Sequence, residues 1–562
     1  MLACSALVAC TNDNEPEVNN GKENGEKAYL AVTLVNPSVN SRATSDYADG
    51  TNAEQAVTKA RFYLFKANGD PYYINDGSAN TTVPAKNYVD ATSLEEITEN
   101  PTSNNVETVF KAVLVIDRSK SAPPASILAV LNYDESKLVN AAGSANLSLT
   151  DLKALSDNFG TIEGSSAVEK PYTESGKFVM SNSVYVDATG KVAIATPIAA
   201  ENICDTKGGT TEDNDGALDN PVVIYVERAA AKVETKITSA STTVTTDGTI
   251  FKIDNKYYAA TGVNDANNQP VYAHLKGWRV TNITEKTNLI KSLANSYTFT
   301  WTWNNASDYR SYWANTTETP VWKWNFNDAN LAFNSCEYYN ENTKNGNVLL
   351  EHDSQLNSQL LVAAEFVTLT DGTPNAAEPI AEWYGVKYTL DGLKTAIATS
   401  LASKLYKDNK GATSIAATDI SFEQVSDKIS TTPEGRYISR IKIASGTYYK
   451  SSGTAYTADE LATLESSLQR VKIWGDKDAN GNYVGGGYYY VNIAHDATAG
   501  VYGLVRNHWY QLTLTKLSGL GTPVYDPTKV IITEKPETDE SYIAAQINVL
   551  AWRMVNQNVT LE

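Results

Sequence analysis

The last eighteen residues of the chain, 545–562, read AQINVLAWRMVNQNVTLE. Ile547, Val549, Ala551, Val555, Val559 and Leu561 fall on one face at period two, and Leu550, Trp552 and Met554 fall on the other. That pattern predicts one extended strand. Eighteen residues at about 3.3 Å each span roughly 60 Å, about three times an ordinary strand. A strand so long and apolar at a free end invites aggregation unless its edges are paired. It either closes its own C-terminal domain or sends part of itself into a sheet of a neighbouring molecule.

The remaining composition agrees with a β-rich, exported protein. The chain has 562 residues, enough for two or more domains with proper cores. It carries 33 Tyr and 10 Trp but only 3 Met and 4 His. Tyr, Trp, Thr and Val favour strands, while Asn, Asp and Gly fill the connections. The formal net charge is −19. That balance argues against nucleic acid as a partner, because nucleic-acid binding needs basic stripes.

The N-terminus reads as a leader. MLACSALVACTNDNEPEVNNGKENGEK passes from a short apolar run to a polar, acidic tract. Leu7-Val8-Ala9-Cys10 resembles a lipobox, whose cysteine thiol is lipidated and becomes the new N-terminus. Residues 1–27 are therefore expected to be a lipoprotein leader and flexible tether, with Cys10 as the lipidation site. No basic stretch precedes the apolar run, as expected if the recorded start lies inside a longer leader. No later apolar run reaches the length of a membrane span.

Along the chain, YLAVTLV at 29–35 predicts a first strand with Leu30, Val32 and Leu34 on one face. A polar loop with Arg42 follows it. KARFYLFK at 59–66, FKAVLVID at 110–117 and ASILAVLN at 125–132 predict strands, the last two central. A short helix is expected at 148–156. A polar Gly/Asp-rich tract at 203–220 gives way to PVVIYVERAAAKVETK, which places a domain boundary there. The expected domains are 28–226 and 227–562. The second should hold strands near 250–258, 278–283, 360–369, 438–443, 472–474, 488–494 and 509–517. Helices are expected at 391–406 and 458–468, the latter with a capping box from Thr457 to Glu460. The fold class is mainly β: two tandem antiparallel β-sandwich domains with a few inserted short helices.

No motif points to catalysis. The four histidines are scattered, and neither HExxH nor GxSxG occurs. His508 is expected to cap or pack at a strand start. Asp476, Asp478 and Asn480 resemble the opening of a calcium loop, but position 12 is Gly487 and the bidentate ligand is missing. A hairpin turn is the simpler reading, and no metal or cofactor is expected. Cys204 and Cys336 stand far apart in sequence, which leaves a disulfide or two buried free thiols open. Trp301, Trp303, Trp313, Trp322 and Trp324 could pack a sandwich core, support cross-strand pairs or stack a sugar.

In their order, these features resemble the fimbrillins, the subunits of type V pili. They are the leader, the first strand with its Arg-bearing loop, KARFYLF, KFVMSNS and YVERAAAKVE. The C-terminal block VRNHWYQLTLTKLSGLGTP followed by INVLAW is the most specific of them. The nearest likeness is to the major shaft subunit of the minor, Mfa-type fimbrium, and it runs over essentially the whole mature chain. It implies transthyretin-like fimbrillin domains, export as an outer-membrane lipoprotein, and cleavage by a surface protease in the loop after the first strand. Carried onto this sequence, the cut falls between Arg42 and Ala43, since Arg42 is the sole Arg before Arg61. Removal of Leu30, Val32 and Leu34 would open a groove for the C-terminal strand of another subunit. Ile547, Val549, Trp552, Val555, Val559 and Leu561 would be the donor residues, and residues 553–562 the portion that crosses. The implied partners are copies of the chain in a head-to-tail filament, anchor and tip subunits, the protease, and host or bacterial surface ligands. Alternatives are a surface glycan-binding lipoprotein and an anchor or tip fimbrial subunit.

Overall fold

The computed structural model describes residues 27–36, 54, 57–74, 85–91, 95–96, 108–117, 122–159, 178–186, 191–208, 216–237, 240–293, 313–344, 356–424, 439–496, 501–533, 542–550 and 555–557. The architecture is mainly β, with several sheets and three short α-helices among the described residues. Cys10, Arg42, Ala43, Trp301, Trp303, Trp552, Val559 and Leu561 lie outside those residues.

The alternation of KAYLAVTLVN makes β1, Lys27–Asn36. The other main strands of the N-terminal part are β2 (Ala60–Phe65), β3 (Tyr88–Ala91), β4 (Thr108–Asp117), β5 (Ser126–Leu131), β6 (Met180–Asn182) and β7 (Val222–Arg228). They follow one another in the order β3–β2–β5–β6–β7–β1–β4. β7 serves two layers. Residues 222–225 run parallel to β1, and residues 226–228 pair antiparallel with β6. A strand that changes partners midway turns the sheet into a sandwich. Its core joins Leu30, Val32 and Leu34 of β1 to Phe62, Leu64, Leu114, Ile127 and Ile224. β2 and β5 also bury their other faces: Tyr63, Phe65, Leu128 and Val130 pack on Leu152 of α1, Leu149–Ala154. Burial on both faces explains why these two strands read as continuous apolar runs.

The chain crosses into the next sandwich at Ala229. β8 is Ala230–Lys236, so the expected boundary at 226/227 falls inside β7. The following strands are β9 (Phe251–Ile253), β10 (Lys256–Asn264), β11 (Pro270–Thr281), β12 (Ser335–Asn340), β13 (Gln359–Thr370) and β14 (Thr373–Ala376). The single strand expected over 250–258 is instead the β9–β10 hairpin. Asp254 and Asn255 take φ of 46° and 62°, a turn geometry that strand propensity alone does not reveal.

Ten further main strands and two helices follow. They are β15 (Ile380–Trp383), β16 (Val386–Thr389), α2 (Leu390–Leu401), β17 (Ile420–Gln424), β18 (Ser439–Ile443), α3 (Ala458–Ser467) and β19 (Lys472–Trp474). Then come β20 (Gly486–Asn492), β21 (Trp509–Ser518), β22 (Thr522–Val524), β23 (Tyr542–Leu550) and β24 (Val555–Gln557). One sheet runs β12–β8–β21–β23–β24 and the other β9–β10–β11–β13–β20–β22. Between them lie Val233, Trp278, Val280, Leu360, Val362, Tyr489, Leu512 and Leu514. Trp324 joins this core and donates its indole N–H to the Val280 carbonyl at 2.7 Å.

β14 and β20 lie on one edge of β13. Ala376 stands opposite Val367, and Gly487 resumes the same line opposite Ala364. Residues 378–485 therefore interrupt what is geometrically a single strand. This excursion has its own core of Trp383, Leu393, Ile397, Leu401, Phe422, Ile441 and Ile473.

The terminal segment is not one eighteen-residue strand. β23 pairs with β21 from Tyr542 to Leu550, and β24 folds back on it, Val549 opposite Val555 and Ile547 opposite Gln557. A lone strand would leave a row of unpaired N–H and C=O groups along its free edge. The fold-back satisfies part of that row.

Candidate functional site

The first expected functional element, β1, is an interior strand. All ten of its residues pair antiparallel with β4, from Lys27 opposite Asp117 to Asn36 opposite Thr108. Its other edge is covered twice. Val32 to Val35 run parallel to β7, and Tyr29 and Leu30 meet Cys204 and Ile203. Ala28, Leu30, Val32 and Leu34 are at most 1% exposed. The opposite face is covered too, since Ala31 packs with Val113, Cys204 and Ala217. Burial of Leu30, Val32 and Leu34 contributes roughly 5–9 kcal/mol together, at about 1.5–3 kcal/mol for each such side chain. A chain without β1 would expose this slot and the facing ladders of β4 and β7.

The second element is the C-terminal hairpin. Ile547 and Val549 occupy β23 opposite Leu512 and Tyr510, and Val555 begins β24. Residues 547 and 549 share a face, as the alternation predicts. β23 lies in the C-terminal sandwich and β1 in the N-terminal one, so the strand proposed as donor and the slot proposed as acceptor belong to different sheets of the chain.

The two sandwiches are joined by a buried polar clasp that local sequence reading did not foresee. Arg506 lies just before β21 and is 1% exposed. Its Nε donates to Glu341 at 3.0 Å, Nη1 to the Leu289 carbonyl at 3.2 Å, and Nη2 to Thr287 and the Asn288 carbonyl at 2.9 and 2.7 Å. Lys291 sits 2.8 Å from Glu227 of β7. Burial pushes the Glu227 carboxyl above its ordinary range, against the pull of Lys291 and Arg506. Glu54, in the connection between β1 and β2, places its carboxylate 2.7 Å from Lys232 and accepts the Tyr338 hydroxyl. Its carbonyl accepts from Arg228 Nε at 2.8 Å. Lys232 also lies over the Trp509 ring, 3.9 Å from its centre. His508 donates from Nδ1 to the Arg506 carbonyl, packing at the start of β21 as its position suggests. The signal in sequence was the VRNHWY block itself; the partners of its Arg506 side chain lie 165 or more residues away.

The other candidate residues make ordinary structure. Asp478 accepts the backbone N–H groups of Asn480 and Asn482 at 2.8 and 2.9 Å, closing the hairpin in which Asp476 and Lys477 pair with Val484 and Tyr483. Its oxygens serve the turn. Cys204 and Cys336 are free thiols, the first buried and the second exposed, so no disulfide joins them. Trp313 and Trp324 are buried, and Trp322 is half-buried. No helix among the described residues is long and apolar enough to cross a membrane.

Residues 482–558, from the hairpin before β20 through β23 and β24, match the family model described as major fimbrial subunit protein type IV, fimbrillin, C-terminal. No curated protein matches the chain. Among solved structures it is similar to a fimbrilin from Porphyromonas gingivalis W83, at 12% identity over 94% of this chain and 98% of that one, with a TM-score of 0.34. It is also similar to the tip fimbrial protein Mfa3 from Porphyromonas gingivalis, at 10% identity over 92% and 99%, TM-score 0.29. A third is a fimbrial assembly protein from Parabacteroides distasonis, at 12% identity over 62% and 85%, TM-score 0.25. None of the three superposes well enough to bear on function, and the match at 482–558 stands as the informative likeness.

Proposed function

We propose that this chain is a structural subunit of a cell-surface fimbrium, exported as a lipoprotein lipidated at Cys10. A surface protease cuts after Arg42, β1 leaves, and the C-terminal strand of another copy fills the slot. Repetition of that step gives a head-to-tail filament that does not close on itself. The observation that carries the reading is the place of β1: interior and paired on both edges, with Arg42 six positions beyond its end in the sequence. The fimbrillin match over 482–558 supports the donor end. β24 must leave β23 before it can cross, and its three pairs are a small barrier beside the ten that hold β1. Arg42 and the long tail together favour a shaft subunit over a tip or an anchor, and anchor and tip subunits would be its further partners. The chain has no catalytic role in this scheme.

N-terminal sequencing of the chain from surface fibres, with Arg42→Ala as comparison, tests the proposal. A mature start at Ala43 and loss of polymer in Arg42→Ala agree with it. A mature start at acylated Cys10 in fibre material would overturn it, as would normal polymer ladders from Arg42→Ala.

A further inference from the structure

Of the four histidines in the chain, two meet inside it. His495, in the strand Ala494–Asp496, is 0% exposed, and His508 is 1% exposed. Their rings stand edge to face with centres 5.0 Å apart. The buried Trp313 and Tyr510 close in on His495 at 5.5 and 5.8 Å between centres. Both histidines hold the same turn, residues 505–510. The Tyr510 hydroxyl accepts the Val505 N–H at 2.8 Å and gives its own proton to Nδ1 of His495 at 2.7 Å. His508 donates from Nδ1 to the Arg506 carbonyl at 2.8 Å. These bonds place the ring hydrogen on Nε2 in His495 and on Nδ1 in His508, and leave both imidazoles neutral.

The turn they hold reaches into the clasp. The Arg506 N–H donates to Glu341 at 3.2 Å, while its side chain grips residues 287–289. Asn507, at φ 59°, donates its N–H to the Ala230 carbonyl at 2.7 Å and accepts from Nη1 of Arg228 at 3.2 Å. Thr287 and Asn288 pair in turn with Asp157 and Ser156 of the N-terminal part.

Protons are unwelcome in this place. One added at Nδ1 of His495 reverses the bond with Tyr510 and leaves the hydroxyl hydrogen without its acceptor, out of reach of water. One added at Nε2 of His508 sets a second positive ring against the first. The charged groups of the clasp are already matched: Arg506 with Glu341 at 3.0 Å, Lys291 with Glu227 at 2.8 Å, and Lys232 with Glu54 at 2.7 Å. Asp496, next to His495 in the chain, is a further carboxylate close by in sequence, and one carboxylate does not offset two rings.

We propose that His495 and His508 form an acid-operated latch: neutral, they hold the 505–510 turn shut, and in acid their protonation opens it and frees Arg506 and Asn507 from the N-terminal sandwich. The sign follows from proton counting. Exposed histidine takes up its proton near pH ~6.5, so the open turn binds two more protons than the closed one below that value. The stability supplied by the pair is complete above pH ~6.5 and is lost as pH falls. Each ring multiplies the open fraction about tenfold between pH 7.5 and 5.5, and the two together roughly 100-fold. The latch does not depend on the fimbrial reading. On that reading, the joint between the sandwiches of each subunit is stiff at neutral pH and slack in acid.

Hydrogen exchange of the full chain, read by mass spectrometry and corrected for the intrinsic pH dependence of exchange, tests the latch. Between pH 7.5 and 5.5 the protection of residues 505–510 and 287–289 should fall roughly 100-fold, while that of β11 and β13 holds. His508→Asn keeps a donor for the Arg506 carbonyl and removes one titrating ring. Its fall should shrink to roughly tenfold, whatever its protection at pH 7.5. Equal protection of 505–510 at the two pH values would overturn the proposal, as would a fall in His508→Asn equal to that of wild type. A fall shared equally by β11 and β13 would overturn it too, because global acid unfolding needs no latch.

Discussion

Arg506 and Glu341 meet at 3.0 Å with both side chains almost wholly out of water, in the clasp between the two sandwiches. Removing one partner leaves the other charge buried and uncompensated, which costs about 3–5 kcal/mol. Glu341→Ala is therefore expected to lower the unfolding free energy by about that amount, read from the denaturant midpoint at unchanged slope. The double variant with Arg506→Met should be less destabilised than the sum of the two single changes.

Leu30 lies at the centre of β1 and is inaccessible to solvent. Leu30→Ala is expected to cost about 2–5 kcal/mol in the uncut chain, from lost transfer energy and the cavity left behind. Hydrogen exchange should quicken in β1 and in the facing residues of β4 and β7. Exchange that quickens in the C-terminal sandwich instead would contradict the placement of β1.

Truncation after Leu550 keeps β23 and its nine-residue register with β21 while removing β24 and everything beyond. The truncated chain should fold and remain monomeric under conditions in which the cleaved full-length chain polymerises. Fibres of normal length from this truncation would show that residues 551–562 are not the donor.

Glu365 of β13 is held down to about 2, first by its hydrogen bond to His274 and then, against the cost of burial, by Lys276 at 3.1 Å. A carboxylate with a depressed folded-state pKa contributes stability above its unfolded value of ~4.3, and that contribution fades as pH falls toward 2. The side chain is 43% exposed, so solvent screening keeps the effect small. Glu365→Gln should start from a slightly lower unfolding temperature at neutral pH, flatten the fall between about pH 4.5 and 2, and meet the wild-type value near pH 2. A curve parallel to wild type would place the pH dependence elsewhere.

What was legible in the sequence had short-range causes. The strand at 472–474 and the capping box at Thr457 and Glu460 appear where periodicity and cap chemistry place them. KARFYLF could be read as a strand because its apolar run is buried on both sides. The fold-back of the tail could not, since β24 repeats the alternation of β23 and the sequence between them has no Gly or Pro to announce a reversal. Arg506 finds Glu341 across 165 positions, and Glu54 finds Tyr338 across 284. No local pattern encodes such meetings. The turn at Tyr384 between β15 and β16, where φ is 51°, is invisible for a different reason: Trp-Tyr-Gly-Val reads as ordinary strand until φ is known.

The interruption of one strand by residues 378–485 has a consequence for how such a protein can change. Ala377 already donates its N–H to the Phe366 carbonyl at 3.0 Å, and Gly486 precedes the residue that faces Ala364, so the two ends sit where adjacent residues of an unbroken strand would sit. The excursion is a cassette plugged into a seam. Away from Ile380 and Trp474, which pack in the core of the host sandwich, its sequence can drift, lengthen or be exchanged without disturbing the two host sheets. Variation in most of the excursion is in this way uncoupled from the packing of the sandwich that carries it.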